Sequence, residues 1–382
     1  MKKAKNIKSI KEIGDIKGKI VLLRLGLNVP LINNKVEDDF RIKKTIPTIK
    51  YLKKLGAKIV IISHIGRDKN ESLKPVARHM NKYVKVGFVP KVFGDDVHKM
   101  IKKMKNGTVI MLENLRSLSG EVSNSKTFAK KLASMGEIYV NDAFSVSHRA
   151  HASIVGLPKL LPSFAGFLME EEIKNLSIAL SPKHPFLFIL GGAKFKTKVP
   201  LIKKYLSIAD YVFVGGALAN NFFKALNFNM ASSLTEKTDV DIKGLLNSKK
   251  LLLPSDVVVK NGEKVSVKRP GEVSAGDVVV DIGPESVEEI GKLVTKSKLV
   301  IFNGPLGNYK IGFGKSTKKT LKNIANTKTV SIIGGGDTAY MVNRARSYKK
   351  YTFVSTGGGA TIEFLAKGTL PGIEALGSLI SK

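Results

Sequence analysis

The chain contains no cysteine. Disulfides, thiolate metal centres and cysteine nucleophiles are therefore excluded. Tryptophan is also absent, and acidic side chains are scarce: 31 Asp and Glu stand against 64 Lys and Arg, a formal net charge of +33. No apolar run approaches the roughly 20 residues of a membrane span. The run at 20–27 is short and carries Arg24. The opening stretch, MKKAKNIKSIKEI, spreads charge throughout and has no apolar h-region. We expect no secretory signal and a soluble, cytoplasmic protein.

What is present is enough for two cores. The 382 residues are 43% hydrophobic, a length that favours two domains over one. The positive charge fits a nucleic-acid partner, an anionic small substrate or a generally basic surface. Lysine pairs such as Lys43 with Lys44, Lys203 with Lys204 and Lys349 with Lys350 occur in every part of the chain. That spread favours the basic surface and leaves nucleic acid as the minor alternative.

Short apolar runs alternate with segments of helical spacing. Strands are expected at 20–25, 59–62, 109–112 and 138–140. Helical segments intervene at 42–55, around Pro47, at 73–85 and at 128–135. Near Pro158 and Pro162 the alternation pauses, and 165–180 reads as one helix joining two halves. It then resumes, with strands at 186–190, 211–214, 299–302, 330–333 and 353–354, and short strands at 251–253, 257–259 and 265–267. Each half should be a mostly parallel sheet covered by helices.

Ligands of open α/β sheets bind beyond the carboxyl ends of the strands. Following the strands of the first half are Asn28, Arg41 (further on), His64, Arg67, Arg116, His148, Arg149 and His151. Arginine offers a planar fork for carboxylate and phosphate. Glycine turns follow the strands of the second half: GGAK, GGA, NGP, GGGDT and TGGGA. The stretch 329–342 shows their logic. An apolar strand runs into Gly334, Gly335 and Gly336, then Asp337, Thr338 and a helical segment. Backbone N–H groups there can approach an anion, and Asp337 could place a hard cation beside it. The first half thus reads as built for a small anion, the second for nucleotide phosphates and metal. Asp142 reads equally as a ligand or as a turn or cap residue. His79 and His184 lack such company and read as structural or exposed.

Two motifs mislead. GFGKST at 312–317 resembles the end of a phosphate-binding loop, but the required first glycine is Tyr309. A nicotinamide-binding fold lacks its glycine turn and acidic residue in the first half.

Together, RLGLNVP (24–30), DDFRIKKTIPTIKYL (38–52), SHIGR (63–67), LENLR (112–116), NDAFSVSHRAHAS (141–153), GGAKFKTK (191–198), NGPLG (303–307), GGGDT (334–338) and STGGGA (355–360) resemble the phosphoglycerate kinase family. The resemblance covers nearly the full length and keeps the family's order. It implies two Rossmann-like domains around an interdomain cleft. Residues 1–164 would bind phosphoglycerate, 165–180 would form a hinge helix, 181–369 would bind the nucleotide, and 370–382 would pack back on the first domain. It also implies a monomer and reversible phosphoryl transfer between 1,3-bisphosphoglycerate with Mg·ADP and 3-phosphoglycerate with Mg·ATP. Asn28, Arg41, His64, Arg67, Arg116 and Arg149 would hold the phosphoglycerate. Arg41, Lys194 and Gly336 would act on the transferring group. Lys198, Gly335, Gly336, Asp337, Thr338, Gly357 and Gly358 would hold the nucleotide, with Mg²⁺ on Asp337.

Two positions depart from the family. Gly26 stands where it has an aspartate that bonds the substrate hydroxyl, and Lys310 where it usually has a glutamate on the ribose. The rival expectation is a catalytically weak relative with a binding role, of nucleic acid given the pI of about 10.0, or with a different anionic substrate.

Overall fold

The computed structural model describes residues 7–377. The expected segments 1–164 and 370–382 each extend beyond it, at 1–6 and 378–382. The chain divides into two compact units. One takes the residues up to Lys174 together with those from Lys367 onward; the other runs from Asn175 to Ala366. The division falls inside the helix Phe167–Ser177.

In the first unit, β1 (Ile20–Leu25), β2 (Lys58–Ile62), β3 (Gly87–Val89), β4 (Val109–Leu112), β5 (Ile138–Asp142) and β6 (Ser163–Ala165) form one parallel sheet. Its order is β3-β4-β2-β1-β5-β6. Helices cover both faces of such a sheet, so its strands are apolar runs rather than alternating ones. Val21, Leu22, Leu23 and Leu25 are fully buried. So is Arg24, the one charge in β1. The helix Phe40–Lys54 buries Ile42, Ile46, Ile49 and Leu52 on this sheet. It continues through Pro47, which removes one rung of its ladder.

In the second unit, β7 (Phe186–Leu190), β8 (Tyr211–Val214), β9 (Leu251–Leu252), β13 (Leu299–Asn303), β14 (Val330–Gly334) and β15 (Phe353–Val354) form the second parallel sheet, ordered β9-β8-β7-β13-β14-β15. Between β9 and β13 in the chain lie β10 (Val257–Asn261), β11 (Lys264–Lys268) and β12 (Val278–Ile282), an antiparallel sheet of order β11-β10-β12. Among the described residues no helix is long and apolar enough to cross a membrane.

Several elements differ from the sequence expectation. The segment 165–180 is not one helix: β6 ends at Ala165, the α-helix begins at Phe167, and a 3₁₀ turn takes Ile178–Leu180. Gly166 makes the break, since a Cβ there would lie 2.3 Å from Asp142 Oδ1. Asp142 itself is a cap. Its Oδ1 accepts from Met169 N at 3.1 Å, and Thr48 Oγ1 accepts from Phe167 N at 3.1 Å. Burial pushes the Asp142 carboxyl up to about 7, against hydrogen bonds from the Thr48 hydroxyl and the Met169 and Leu168 backbone. The helix expected at 73–85 stops at Met80, where Asn81 turns the chain by accepting from Val86 N at 2.9 Å. Strands β3 and β12 have no counterpart among the expected strands. One contains a glycine, and the other is interrupted by the buried Asp281. The helix Pro371–Gly377 packs within the first unit: Gly372 N donates to Ser147 O at 2.8 Å, and Ala375 joins Val146 and Ile154 in one apolar cluster.

Candidate functional site

Each parallel sheet reverses its winding beside a central strand, at β1 in the first unit and β7 in the second. Chain leaving such strands at their carboxyl ends is where ligands bind.

In the first unit the loops after β1, β2, β4 and β5 gather the cations. Asn28 ties two of them together: its Oδ1 accepts from Gly66 N at 2.9 Å, and its carbonyl accepts from Arg41 Nη1 at 2.6 Å. Arg41 is half-buried at the start of the helix Phe40–Lys54, and burial pulls its guanidinium pKa below the ordinary value. Arg116 Nη1 donates to the Gly66 carbonyl, while its Nη2 is buried without a partner. Arg67 and Arg149 are exposed. Arg116 and Arg149 both act on His64, and Arg67 and Arg149 both act on Arg116. A cluster of this kind, in which arginines outnumber the carboxylates that act on them, suits an anion through charge and forked hydrogen bonds.

His64 is set by a layer that the sequence pattern does not reveal. Arg24 Nη2 lies 3.0 Å from His64 Nδ1. A guanidinium only donates, so Nδ1 accepts and the proton of the neutral ring sits on Nε2. Burial first, then Arg24, Arg116, His151 and Arg149, holds the His64 pKa well below 6.5. His64 therefore acts as a neutral donor, not as a further cation. Arg24 is held in turn by Ser153 Oγ at 2.9 Å and Glu121 Oε1 at 3.9 Å. Glu121, fully buried, accepts from Ser153 N at 2.9 Å and Ser153 Oγ at 2.5 Å. His151 stands 3.8 Å from Glu121, its pKa lowered to about 4 by burial and the neighbouring arginines. Arg24 inside an apolar strand is the available signal; which of 31 acids answers it is not legible in sequence.

At Gly26, an added Cβ would lie 2.5 Å from Ser145 Oγ. The space for an aspartate side chain is taken by that hydroxyl.

In the second unit the glycine loops converge on Lys198, which is buried in the helix Phe195–Ile208. Its Nζ donates to the Gly191 carbonyl. A Cβ on Gly192 would stand 2.4 Å from that nitrogen, and one on Gly304 3.0 Å. Gly335 has φ +87° and comes within 3.0 Å of Gly304 N at its missing Cβ. Three helices start here with no capping bond from the N-cap residue itself: Phe195–Ile208 at Lys194, Ala217–Ala225 at Gly216 and Gly336–Arg344 at Gly335. In the first, Glu236 Oε2 accepts from Lys196 N at 3.2 Å, and in the second the Gly192 carbonyl accepts from Leu218 N at 3.1 Å. The first N–H groups of Gly336–Arg344 lack intrahelical acceptors, which makes that start the one best suited to an anion. Gly336 has no neighbour within 4 Å of a built Cβ, so packing does not require a glycine there and open space faces that backbone. Lys194 is exposed, and Gly357 and Gly358 lead into the helix Gly359–Lys367. Thr338 Oγ1 is buried with no hydrogen-bond partner, as are both side-chain polar atoms of Asn303. Asn303, at the end of β13, is a second residue absent from the sequence-based expectation, visible there only as the N of NGPLG. A cavity of about 310 Å³ adjoins these loops, walled by Phe223, Val257 and Leu306, with Lys310 and Asp337 on its lining.

Among the described residues no three His, Cys, Asp or Glu side chains come together for a metal. Asp337 is exposed at the helix start, and its Oδ1 accepts from Tyr309 OH at 2.8 Å. One carboxylate beside an anion site suits a hard, hydrated cation that takes its other ligands from phosphate and water.

Burial lowers the Lys198 pKa to about 8, opposed by the Asp337 charge. The ammonium is the form that binds phosphate. It is present below the folded pKa and lost as pH rises through it. Calorimetric affinity for ADP is therefore expected to be level below pH 7 and to fall above about pH 8, approaching tenfold per pH unit. In Lys198→Arg, whose charge persists, that decline should disappear; an unchanged decline would assign it to another group.

The family model described as phosphoglycerate kinase matches residues 10–368. A phosphoglycerate kinase of Dictyoglomus turgidum is 41% identical over 381 residues, 95% of this chain and 96% of its own. One from Coprothermobacter proteolyticus is 40% identical over 388 residues, 97% and 98% of the two chains. Of solved structures, the phosphoglycerate kinase of Pyrococcus horikoshii superposes with TM-score 0.87 at 29% identity, covering 97% of this chain and 98% of that one. The one from Coxiella burnetii gives 0.82 at 32%, covering 97% and 99%.

Proposed function

We infer that this chain, which belongs to the phosphoglycerate kinase family, carries out reversible phosphoryl transfer between 1,3-bisphosphoglycerate with ADP and 3-phosphoglycerate with ATP. The observation that carries the reading is the contrast between the two sheets. Forked cations and a neutral histidine follow the strands of one; the uncapped start of Gly336–Arg344 and a buried lysine follow those of the other.

The first unit takes the phosphoglycerate. Arg67, Arg116 and Arg149 meet its phosphate, with His64 and Asn28 as hydrogen-bond partners. The second unit takes the nucleotide, its ring against the apolar wall of Phe223, Val257 and Leu306 and its phosphates at Gly335, Gly336, Thr338 and Lys198. Gly357 and Gly358 line the same site. In transfer, the bond between phosphorus and the carboxyl oxygen breaks. A bond from phosphorus to the terminal ADP oxygen forms, and no proton is needed. A loose, metaphosphate-like transition state asks for positioning and charge rather than a protein nucleophile. Arg41 and Lys194 stabilise the equatorial oxygens, and the Gly336 N–H adds a fixed dipole. Bound at Asp337, Mg²⁺ would neutralise phosphate charge. The helix Phe167–Ser177 is the proposed hinge element, and a cytoplasmic monomer the working form.

The test is a coupled assay of the purified chain with 3-phosphoglycerate and ATP, with Mg²⁺ and with excess EDTA. Turnover that needs both the metal and the phosphorylated acid is expected. A folded protein that shows none at millimolar substrate would sink this reading.

A further inference from the structure

The GFGKST stretch belongs to no phosphate loop, yet its Gly314 has a reason to be glycine. A Cβ there would lie 2.8 Å from Tyr309 Cβ and 3.6 Å from Met341 Cε. Tyr309 thus packs against backbone on one side. Met341, also beside Gly314, lies on the helix Gly336–Arg344 that carries Asp337. The Tyr309 loop is pinned as well: Asn308 N donates to Val280 O at 2.8 Å, and Phe313 N donates to Asn308 O at 3.1 Å. From that held position the Tyr309 hydroxyl donates to Asp337 Oδ1 at 2.8 Å.

We propose that Tyr309 is a positioning residue for the metal-binding carboxylate. It fixes Asp337 through Oδ1 and leaves Oδ2 for a divalent cation carried on nucleotide phosphates. The proposal rests on the reading of Asp337 given above. An exposed aspartate at a helix start otherwise samples several rotamers, and a cation must collect it from among them. Of the two carboxylates on the cavity lining, Asp281 is buried and Asp337 exposed, so the prior orientation of Asp337 bears directly on metal-dependent affinity. The hydroxyl occupies one oxygen and so favours one-oxygen coordination. Tyr309 also lines the nucleotide cavity, so its ring and its hydroxyl make separable contributions.

Tyr309→Phe keeps the ring and removes the hydroxyl. Calorimetric titration with Mg·ADP should show affinity weakened about fivefold, the scale of one lost hydrogen bond. ADP titrated in EDTA should bind the variant and the parent within about twofold, since the ring is retained. On an Asp337→Asn background the same change should add nothing, because the hydroxyl acts through that carboxylate. Equal losses with and without metal would show that Tyr309 only packs the cavity, and no loss with metal would show that the hydrogen bond is idle. Either result overturns the proposal. Failure of the parent reading looks different: the unmutated chain would itself bind ADP equally with and without Mg²⁺.

Discussion

Arg41→Ala should lower kcat by about 10³-fold, about 4 kcal/mol of transition-state stabilisation. The side chain is already anchored before substrate arrives. Its Nη1 donates to the Asn28 carbonyl at 2.6 Å, and burial disfavours its charge enough to pull the pKa down. A partly desolvated, anchored guanidinium is worth more to charge that develops during transfer than one free in water. The loss should therefore fall on kcat more than on KM. Arg41→Lys should recover only part of it, because an ammonium presents a point charge and not a planar fork. Steady-state kinetics for both substrates, beside a thermal melt to verify folding, decide the matter. A raised KM with kcat intact would reduce Arg41 to ground-state binding of the acid.

Glu121→Ala should cost about 3–5 kcal/mol of stability, the scale of removing one partner from a buried ion pair. Arg24 and Glu121 are both fully buried, and Glu121 is the carboxylate that offsets the Arg24 charge. Ser153 would lose the acceptor for its hydroxyl and its N–H, so the damage spreads beyond one contact. For a unit of this size each kcal/mol moves Tm by about 2–4 °C, so a fall of about 10 °C is expected. Replacing the pair together, as Arg24→Met with Glu121→Leu, should return much of that stability, because buried pairs often exchange for apolar residues at little cost. It should not return substrate affinity, since His64 loses the donor that sets its tautomer. Denaturant unfolding and 3-phosphoglycerate binding, measured on the same variants, separate the two roles. A Glu121→Ala protein as stable as the parent would mean that Arg24 finds water or another acceptor.

The alternation of apolar runs and amphipathic segments determined the two parallel sheets, because strands buried on both faces admit little polarity. Arg24 in β1 is one exception, as are Asn141 and Asp142 in β5, and it marks the buried network. The strand ends are legible for the same reason: polar and glycine residues return where the sheet stops. The family's motifs, in order, identified the chain. Where apolar patterning is weak, sequence and structure part. Ala165 has helical company in the sequence, but Gly166, crowded by Asp142, ends β6 there instead. Strand β12 escapes the apolar pattern because Asp281 breaks its run.

The layer behind the site was decided by tertiary structure alone. Glu121 lies in a short helix whose sequence, SGEV, gives no hint of a buried ion pair. Tyr309 and Asp337 come from different segments, a short turn and a helix start, and meet where Gly314 leaves room for the Tyr309 Cβ. Asn303 shows its significance as two buried atoms without partners. Local sequence dictates which residues leave a strand and in what order. Which charge is buried against which, and which oxygen of a carboxylate is already occupied, depends on atoms brought together by packing, and a linear pattern does not carry that distance.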